Sequence, residues 1–333
     1  MRDIAQSKGL IFGSAAQSKH LELDKSYADV FSREVGLLVP EKELKWHAVH
    51  PSPDRFDFGP ADWLLHFAQQ HDMLFRGHTL AWHVNNPGWL QDTLNHSNAR
   101  QILVKHIQTV VGHYAGKAHS WDVVNEVIQP SDGLTDGLRE NIWLSNIGPE
   151  YIDIAFRAAA EADPKALLFY NETNLDYEIP EQETKRQNML KLLSRLKSAG
   201  VPVQGLGIQA HLRGKEAHFN PKKMLRFVRD VAGLGLKIMV TEMDVSDQGL
   251  PPDPSARDRE VAKAYYDYLS TILQEKAVLG VITWGVSDRY TWVASSKPRK
   301  DARPARPLLL DANLGRKLAW EAMAKAIEEA PSR

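Results

Sequence analysis

Short apolar runs alternate along the chain with longer stretches in which apolar residues recur every three or four positions, a pattern that reads as strands and amphipathic helices in turn. Eight runs read as strands: Leu10 to Ser14, Gly36 to Pro40, Met73 to His78, Ser120 to Glu126, Ala166 to Asn171, Val203 to Gln209, Lys237 to Glu242 and Gly280 to Trp284. Helical periodicity covers Asp62 to Gln70, Ala99 to Tyr114, Glu150 to Ala162, Gln182 to Ala199, Pro221 to Ala232, Ala256 to Gln274 and Arg316 to Glu328. This alternation implies βα units, and eight of them predict the α/β class with a single closed (β/α)8 TIM barrel. The rival, an open doubly wound sheet, has no G-x-G-x-x-G after the first strand and no P-loop after any other, so nucleotide binding loses its main support. Pro251-Pro252-Asp253-Pro254 and Lys297 to Pro307 read as loops that follow strands. With no linker and no solenoid period, residues 1–333 are expected to form one domain.

Composition narrows the partners. The 333 residues are 43% hydrophobic and 25% charged, enough for a large core, and 41 Lys and Arg stand against 42 Asp and Glu. A formal charge of −1 offers no field for a phosphate backbone or an anionic lipid surface, so neither nucleic acid nor membrane is expected as a partner. The absence of cysteine removes disulfides, thiolate nucleophiles and Cys-ligated metals. No apolar run approaches the roughly 18 residues of a membrane span, and Met1 to Leu10 lacks the apolar stretch of a secretory signal. The reading adopted is a secreted, mature form whose signal has been removed, with a cytoplasmic location as the alternative; a monomer is expected.

In a TIM barrel the C-terminal strand ends carry the active site. Here those ends bear His78, Trp82 and His83, then Asn125 and Glu126, Asn171 and Glu172, Gln209 and His211, Glu242 and Asp244, and Trp284. Indole faces among amides and carboxylates suit a neutral polyhydroxylated ligand, which makes a carbohydrate the leading ligand class. WDVVNE (Trp121 to Glu126) and IMVTEMD (Ile238 to Asp244) are apolar strands that each bring a Glu to this end, and only barrel closure would unite the two. A single strand-end Glu equally well caps a helix or pairs with Arg. A period of two places Gln209 with His211 and Glu242 with Asp244, so Asp244 would support the site by orienting His211, which in turn keeps Glu242 ionised. His78 and His83 are an odd number of residues apart and would face opposite ways on a continuing strand; no metal and no cofactor is expected. Trp63, Trp121, Trp143 and Trp320 read as packing residues, whereas Trp82, Trp284 and Trp292 lie at or beyond strand ends.

GHTLAWH with Pro87 and Trp89, WDVVNE, FYNETN, GLGIQAH, TEMD, TWGVSDRYTW and PLLLD occur in this order between about Phe12 and Trp320, and the set resembles family 10 glycoside hydrolases, chiefly endo-1,4-β-xylanases. The resemblance implies that Glu126 is the general acid/base, Glu242 the nucleophile, and Asn125 the ligand of the sugar 2-hydroxyl. It implies that His78, Trp82, Gln209, His211, Trp284 and Trp292 line a substrate cleft. In PEKELKW, Glu41 and Lys45 match ligands of the distal sugar on the glycone side. The implied activity is retaining hydrolysis of internal β-1,4 bonds by double displacement, with xylan and xylo-oligosaccharides as partners; Glu126 must enter the cycle protonated. Alternatives are a related retaining glycosidase or transglycosylase acting on β-glucan or aryl glycosides, a catalytically silent carbohydrate-binding protein, and, third, a metal-dependent hydrolase. Several positions depart from the family pattern, among them Tyr290 and Thr291, which stand before Trp292 in place of small residues. Lys42 replaces Asn and is expected to turn to solvent; Glu172 and Thr173 replace Asp and Tyr, which removes an aromatic platform from the leaving-group side.

Overall fold

The computed structural model describes residues 1–333. Its strands are β1 (Ile11–Ala16), β2 (Leu37–Pro40), β3 (Leu74–Ala81), β4 (Ser120–Asn125), β5 (Leu167–Glu172), β6 (Gly205–Ile208), β7 (His211–Arg213), β8 (Lys237–Ser246) and β9 (Val278–Thr283). All pair in parallel, in the order β6-β5-β4-β3-β2-β1-β9-β8, and a β6–β8 pairing closes the ring. β7 stands outside the ring and extends the C-terminal end of β8, with His211 opposite Asp244 and Arg213 opposite Ser246. That pairing explains why β8 runs on to Ser246, past the expected end at Glu242. The fold is therefore the expected eight-stranded (β/α)8 barrel.

Eight helices cover the barrel: α1 (Lys25–Glu34), α2 (Gly59–Gln70), α3 (Ala99–His113), α4 (Tyr151–Ala162), α5 (Pro180–Ser198), α6 (Pro221–Gly233), α7 (Pro254–Ile272) and α8 (Leu318–Glu328). α1 escapes the periodicity reading because KSYADVFSRE carries few apolar residues. It forms because the Asp24 carboxylate caps it, accepting from Tyr27 N at 3.0 Å, and because Tyr27 and Phe31, four apart, are both buried. In α7 the Asp253 carboxylate caps in the same way at 2.7 Å, and Pro254 is already the first helical residue. α5 also starts with a Pro, and it carries Glu181 and Glu183 in its first turn and Arg195 and Lys197 in its last, matching the helix dipole. No helix is long and apolar enough to cross a membrane.

Two apolar layers follow from the strand period. Outward residues join the helices in a cluster of 84 buried residues, whereas the barrel interior holds only seven: Ala15, Leu37, Val39, Phe169, Met239, Ile282 and Trp284. Partly buried Ile11, Leu167, Leu279 and Trp292 pack against this cluster, and polar side chains share the interior with it. Buried Arg76 donates to Ser120 Oγ at 2.7 Å and to the Asp122 carboxylate, and its guanidinium lies 4.5 Å over the Phe169 ring. A charge so deep requires such partners. Next to it, Gly77 faces Trp121 across β3 and β4; a Cβ there would come within 2.0 Å of the indole. Trp121 and Trp143 are fully buried, and Trp63 and Trp320 pack on the main core, as expected of packing residues.

Candidate active site

Three strands change parity just before the cleft, and this re-aims the chemistry. In β4, Asp122 bonds the inward His78, but the register slips between Asp122 and Val124; Val124 joins the outer core, and Asn125 points inward again. In β8, Met239 lies in the inner cluster and Thr241 Oγ1 donates to Asn171 at 2.6 Å, so both face inward. A second slip, between Val240 and Met243, sends Met243 to the outer core and turns Glu242 and Asp244 inward. β3 has its own slip between His78 and Ala81. Such irregularities re-aim side chains near functional sites. Glu126 follows β4 at φ +56°, with its N–H bonded to Asn171 O at 2.9 Å. A non-glycine residue pays roughly 1–2 kcal/mol for this left-handed conformation.

Amides join the two glutamates. Asn171 Nδ2 donates to Glu242 Oε1 at 2.7 Å and to Asn125 Oδ1 at 2.9 Å. Gln209 Nε2 donates to Glu126 Oε1 at 3.0 Å and to Asn125 Oδ1 at 3.3 Å. Asn125 thus accepts from both neighbours, while its own Nδ2 is buried with no partner in the protein. The parity reading of Gln209 with His211 needs correction: β6 ends at Ile208, and Ala210 at φ +59° interrupts the strand, yet both side chains reach the cleft.

The cleft, about 950 Å³, is lined by Lys45, His78, Trp82, Asn125, Glu126, Gln209, His211, Glu242, Trp284 and Trp292. Two candidates stand behind its walls. Glu41 is buried and accepts from Gln17 Nε2 at 2.8 Å, and Asp244 is fully buried behind His211. Asp244 Oδ2 binds His211 Nδ1 at 2.9 Å and Trp292 Nε1 at 2.7 Å, while His211 Nε2 lies 3.3 Å from Glu242 Oε2. His78 Nδ1 is 3.0 Å from Asp122 and its ring meets Trp284 edge-on at 5.1 Å; His83 Nδ1 lies 3.8 Å from Glu126 Oε2. The Lys45 ammonium sits 5.1 Å from the Trp82 ring and 5.6 Å from the Trp284 ring.

These contacts set the charges. Burial lowers the His211 pKa, but the Asp244 carboxylate and the hydrogen bonds to Asp244 and Glu242 overcome it and raise the imidazole to about 10. Burial pushes the Glu242 carboxyl up; the His211 hydrogen bond and the charges of His78, His211 and Lys45 outweigh it and hold it at about 2. Glu242 is therefore ionised, as expected from its chain to Asp244. Burial pulls Lys45 down despite Glu242, Glu41 and Glu126, and it raises Glu41 against the Gln17 bond. Burial and Arg139 lower His83 to about 4, so a neutral imidazole faces Glu126.

Lys42 is exposed and forms no ion pair. Glu172 is turned away from the cleft: it pairs with buried Lys185 at 2.9 Å and accepts from Ile128 N at 3.1 Å and from the Tyr170 hydroxyl. Thr173 does line the cleft. Asn171, the amide that bridges Glu242 to Asn125, was visible only as a strand-end residue in FYNETN. Its place comes from its register opposite Asn125, which the sequence does not display.

Two glutamates joined through amides, one ionised by an imidazolium, among indoles at the mouth of a TIM barrel, define a glycoside hydrolase. Residues 1–326 match glycosyl hydrolase family 10, and the chain belongs to that family. It is similar to the β-1,4-xylanase of Dictyoglomus thermophilum, 38% identical over 320 residues that cover 93% of this chain and 87% of that protein. It also resembles endo-1,4-β-xylanase B of Thermotoga neapolitana, 35% identical over 99% of this chain and 92% of that one. Among solved structures, xylanase 10B from Thermotoga petrophila RKU-1 in complex with xylobiose superposes with a TM-score of 0.90 at 33% identity, covering 98% of this chain and 97% of that chain.

Proposed function

We propose that this chain is an endo-1,4-β-xylanase that cleaves internal β-1,4 bonds of xylan and xylo-oligosaccharides with retention of anomeric configuration. The observation that carries the reading is the linked pair: Glu242, held ionised by His211, joined through Asn171, Asn125 and Gln209 to Glu126. In the first step a Glu242 oxygen bonds the anomeric carbon while the bond to the leaving oxygen breaks, and Glu126 gives that oxygen its proton. In the second, water attacks the anomeric carbon, its proton passes to Glu126, and the bond to Glu242 breaks. Asn125 Nδ2 is free of protein partners, which supports its donating to the 2-hydroxyl, a bond that strengthens as the ring approaches the transition state. Trp82, Trp284 and Trp292 supply apolar faces for the sugar rings, and Lys45 a donor on the glycone side. The similarity to xylanases, one of them in complex with xylobiose, supports xylan as substrate. Reducing-sugar release should be rapid from xylan and slight from carboxymethylcellulose, with the β-anomer appearing first by proton NMR. An initial α-anomer would overturn the double displacement.

A further inference from the structure

We propose that Arg213 is a specificity-determining residue on the leaving-group side, where its guanidinium plane supports the sugar that departs with the leaving oxygen. This rests on the xylanase reading above. Lys45 follows β2, and Arg213 lies on β7, which follows β6 in the chain and pairs with the end of β8 beyond Glu242, Arg213 opposite Ser246. In the ring order β6-β5-β4-β3-β2-β1-β9-β8, β2 and β6 are diametrically opposite, while Glu126 and Glu242 stand on strands between them. With Lys45 at the glycone end of the cleft, Arg213 falls at the other end. Thr173, which also lines that end, is too small to offer a stacking face.

The arginine is built in from three directions. Its backbone N–H donates to the Tyr177 hydroxyl at 2.7 Å, its guanidinium lies 5.4 Å over the Tyr177 ring, and Nη1 donates to Glu216 Oε2 at 3.2 Å. The neighbouring Gly214 N–H bonds Ser246 O at 2.9 Å, tying the segment to β8. Tyr177 is a firm base, only 4% exposed, and its carbonyl accepts from buried Arg186 at 3.0 Å. The Arg213 side chain is nevertheless 57% exposed, lines the cleft, and has no partner in the protein for Nε or Nη2. A planar cation with one face on an aromatic ring, one edge pinned and two nitrogens free can stack on a sugar's C–H face and donate to its hydroxyls. None of these groups takes part in the chemistry assigned to Glu126 and Glu242.

The test compares two substrates of one enzyme. Xylotetraose places sugars on both sides of the cleaved bond; β-xylobiosyl fluoride has a one-atom leaving group and needs only the glycone side. In Arg213→Ala the ratio of kcat/KM for xylotetraose to that for the fluoride should fall about tenfold, the loss expected for one charged hydrogen-bonding and stacking contact. Cleavage of end-labelled xylopentaose should keep its pattern while its rate falls, because every productive complex places a sugar directly beyond the cleaved bond. Arg213→Lys keeps the charge without the plane and should recover less than half of the lost ratio; it also provides the readout should the alanine variant misfold. A ratio within twofold of wild type in both variants would overturn this inference alone. A wild-type enzyme that consumes the fluoride but no xylo-oligosaccharide would overturn the xylanase reading and this inference with it.

Discussion

Asp244→Asn isolates the charge behind Glu242, the proposed nucleophile. Asn keeps the shape and an acceptor for His211 Nδ1 and Trp292 Nε1, bonds of 2.9 and 2.7 Å in the native protein, but removes a full negative charge. For unit charges about 4 Å apart at an effective dielectric constant of about 20, that charge is worth roughly 4 kcal/mol to the His211 imidazolium, or about three pH units. His211, now raised to about 10, would fall to near its ordinary value of 6.5 and lose its proton across the working range. Glu242 would then lose its hydrogen-bonding cation while its burial remained, so its carboxyl would climb from about 2. The acid limb of kcat/KM should move up by at least one pH unit. Stability gives a second readout with a definite sign. A histidine whose folded pKa is raised stabilises the fold fully below its unfolded value of 6.5 and loses that contribution as pH rises through about 10. The melting difference between wild type and Asp244→Asn should therefore be largest near pH 6 and shrink toward pH 10. If kcat falls while the acid limb and the pH dependence of melting stay where they are, Asp244 acts through packing alone and the charge coupling is wrong.

Three further substitutions test the remaining assignments. Glu242→Ala should abolish xylan hydrolysis, and azide should restore turnover of an activated aryl glycoside with inverted product; no rescue would count against Glu242 as nucleophile. Glu126→Ala should cost at least a hundredfold on xylan, whose leaving group is poor, and far less on a dinitrophenyl glycoside, as measured by kcat/KM; equal losses would remove its acid role. Lys42→Asn should tighten short linear xylo-oligosaccharides two- to tenfold, the value of one added hydrogen bond, because the exposed lysine contributes none. A selective loss on glucuronoxylan instead would show that Lys42 binds an acidic substituent.

Much of the barrel was legible because alternation of short apolar runs with helical periods survives the averaging of neighbouring contacts. The site was legible as a set of strand ends, but not as an arrangement. In WDVVNE a strict period of two from Asp122 would point Val124 inward and Asn125 outward, and two consecutive valines give no sign that the register slips between them. The same holds for β8, where Met239, Thr241 and Met243 would share a face, yet the slip sends Met243 outward and brings Glu242 in. Both slips depend on hydrogen bonds to neighbouring strands, which a single chain segment does not display.

The clearest limit of the sequence is set by Glu172, which by type and position resembles Glu126: each follows an Asn at the end of a barrel strand. Their fates differ through a cation that local pattern cannot place. Lys185, on α5 and thirteen residues further along, turns its ammonium inward to 2.9 Å from Glu172, and the Ile128 N–H and Tyr170 hydroxyl complete the enclosure. A carboxylate so enclosed has neither a free oxygen for a substrate nor a route for its proton. Glu126 has no lysine or arginine ion pair; its contacts are the Gln209 amide at 3.0 Å and a neutral His83 at 3.8 Å, and it opens on the cleft. The glutamate proposed as acid/base is thus distinguished by what fails to neutralise it. That distinction predicts that Lys185→Met, by stripping Glu172 of its counter-ion, should destabilise the fold by roughly 3–5 kcal/mol in denaturant titration while leaving the leaving-group dependence of the surviving folded enzyme unchanged. An altered leaving-group dependence would mean that Glu172 shares the acid role and that the enclosure argument fails.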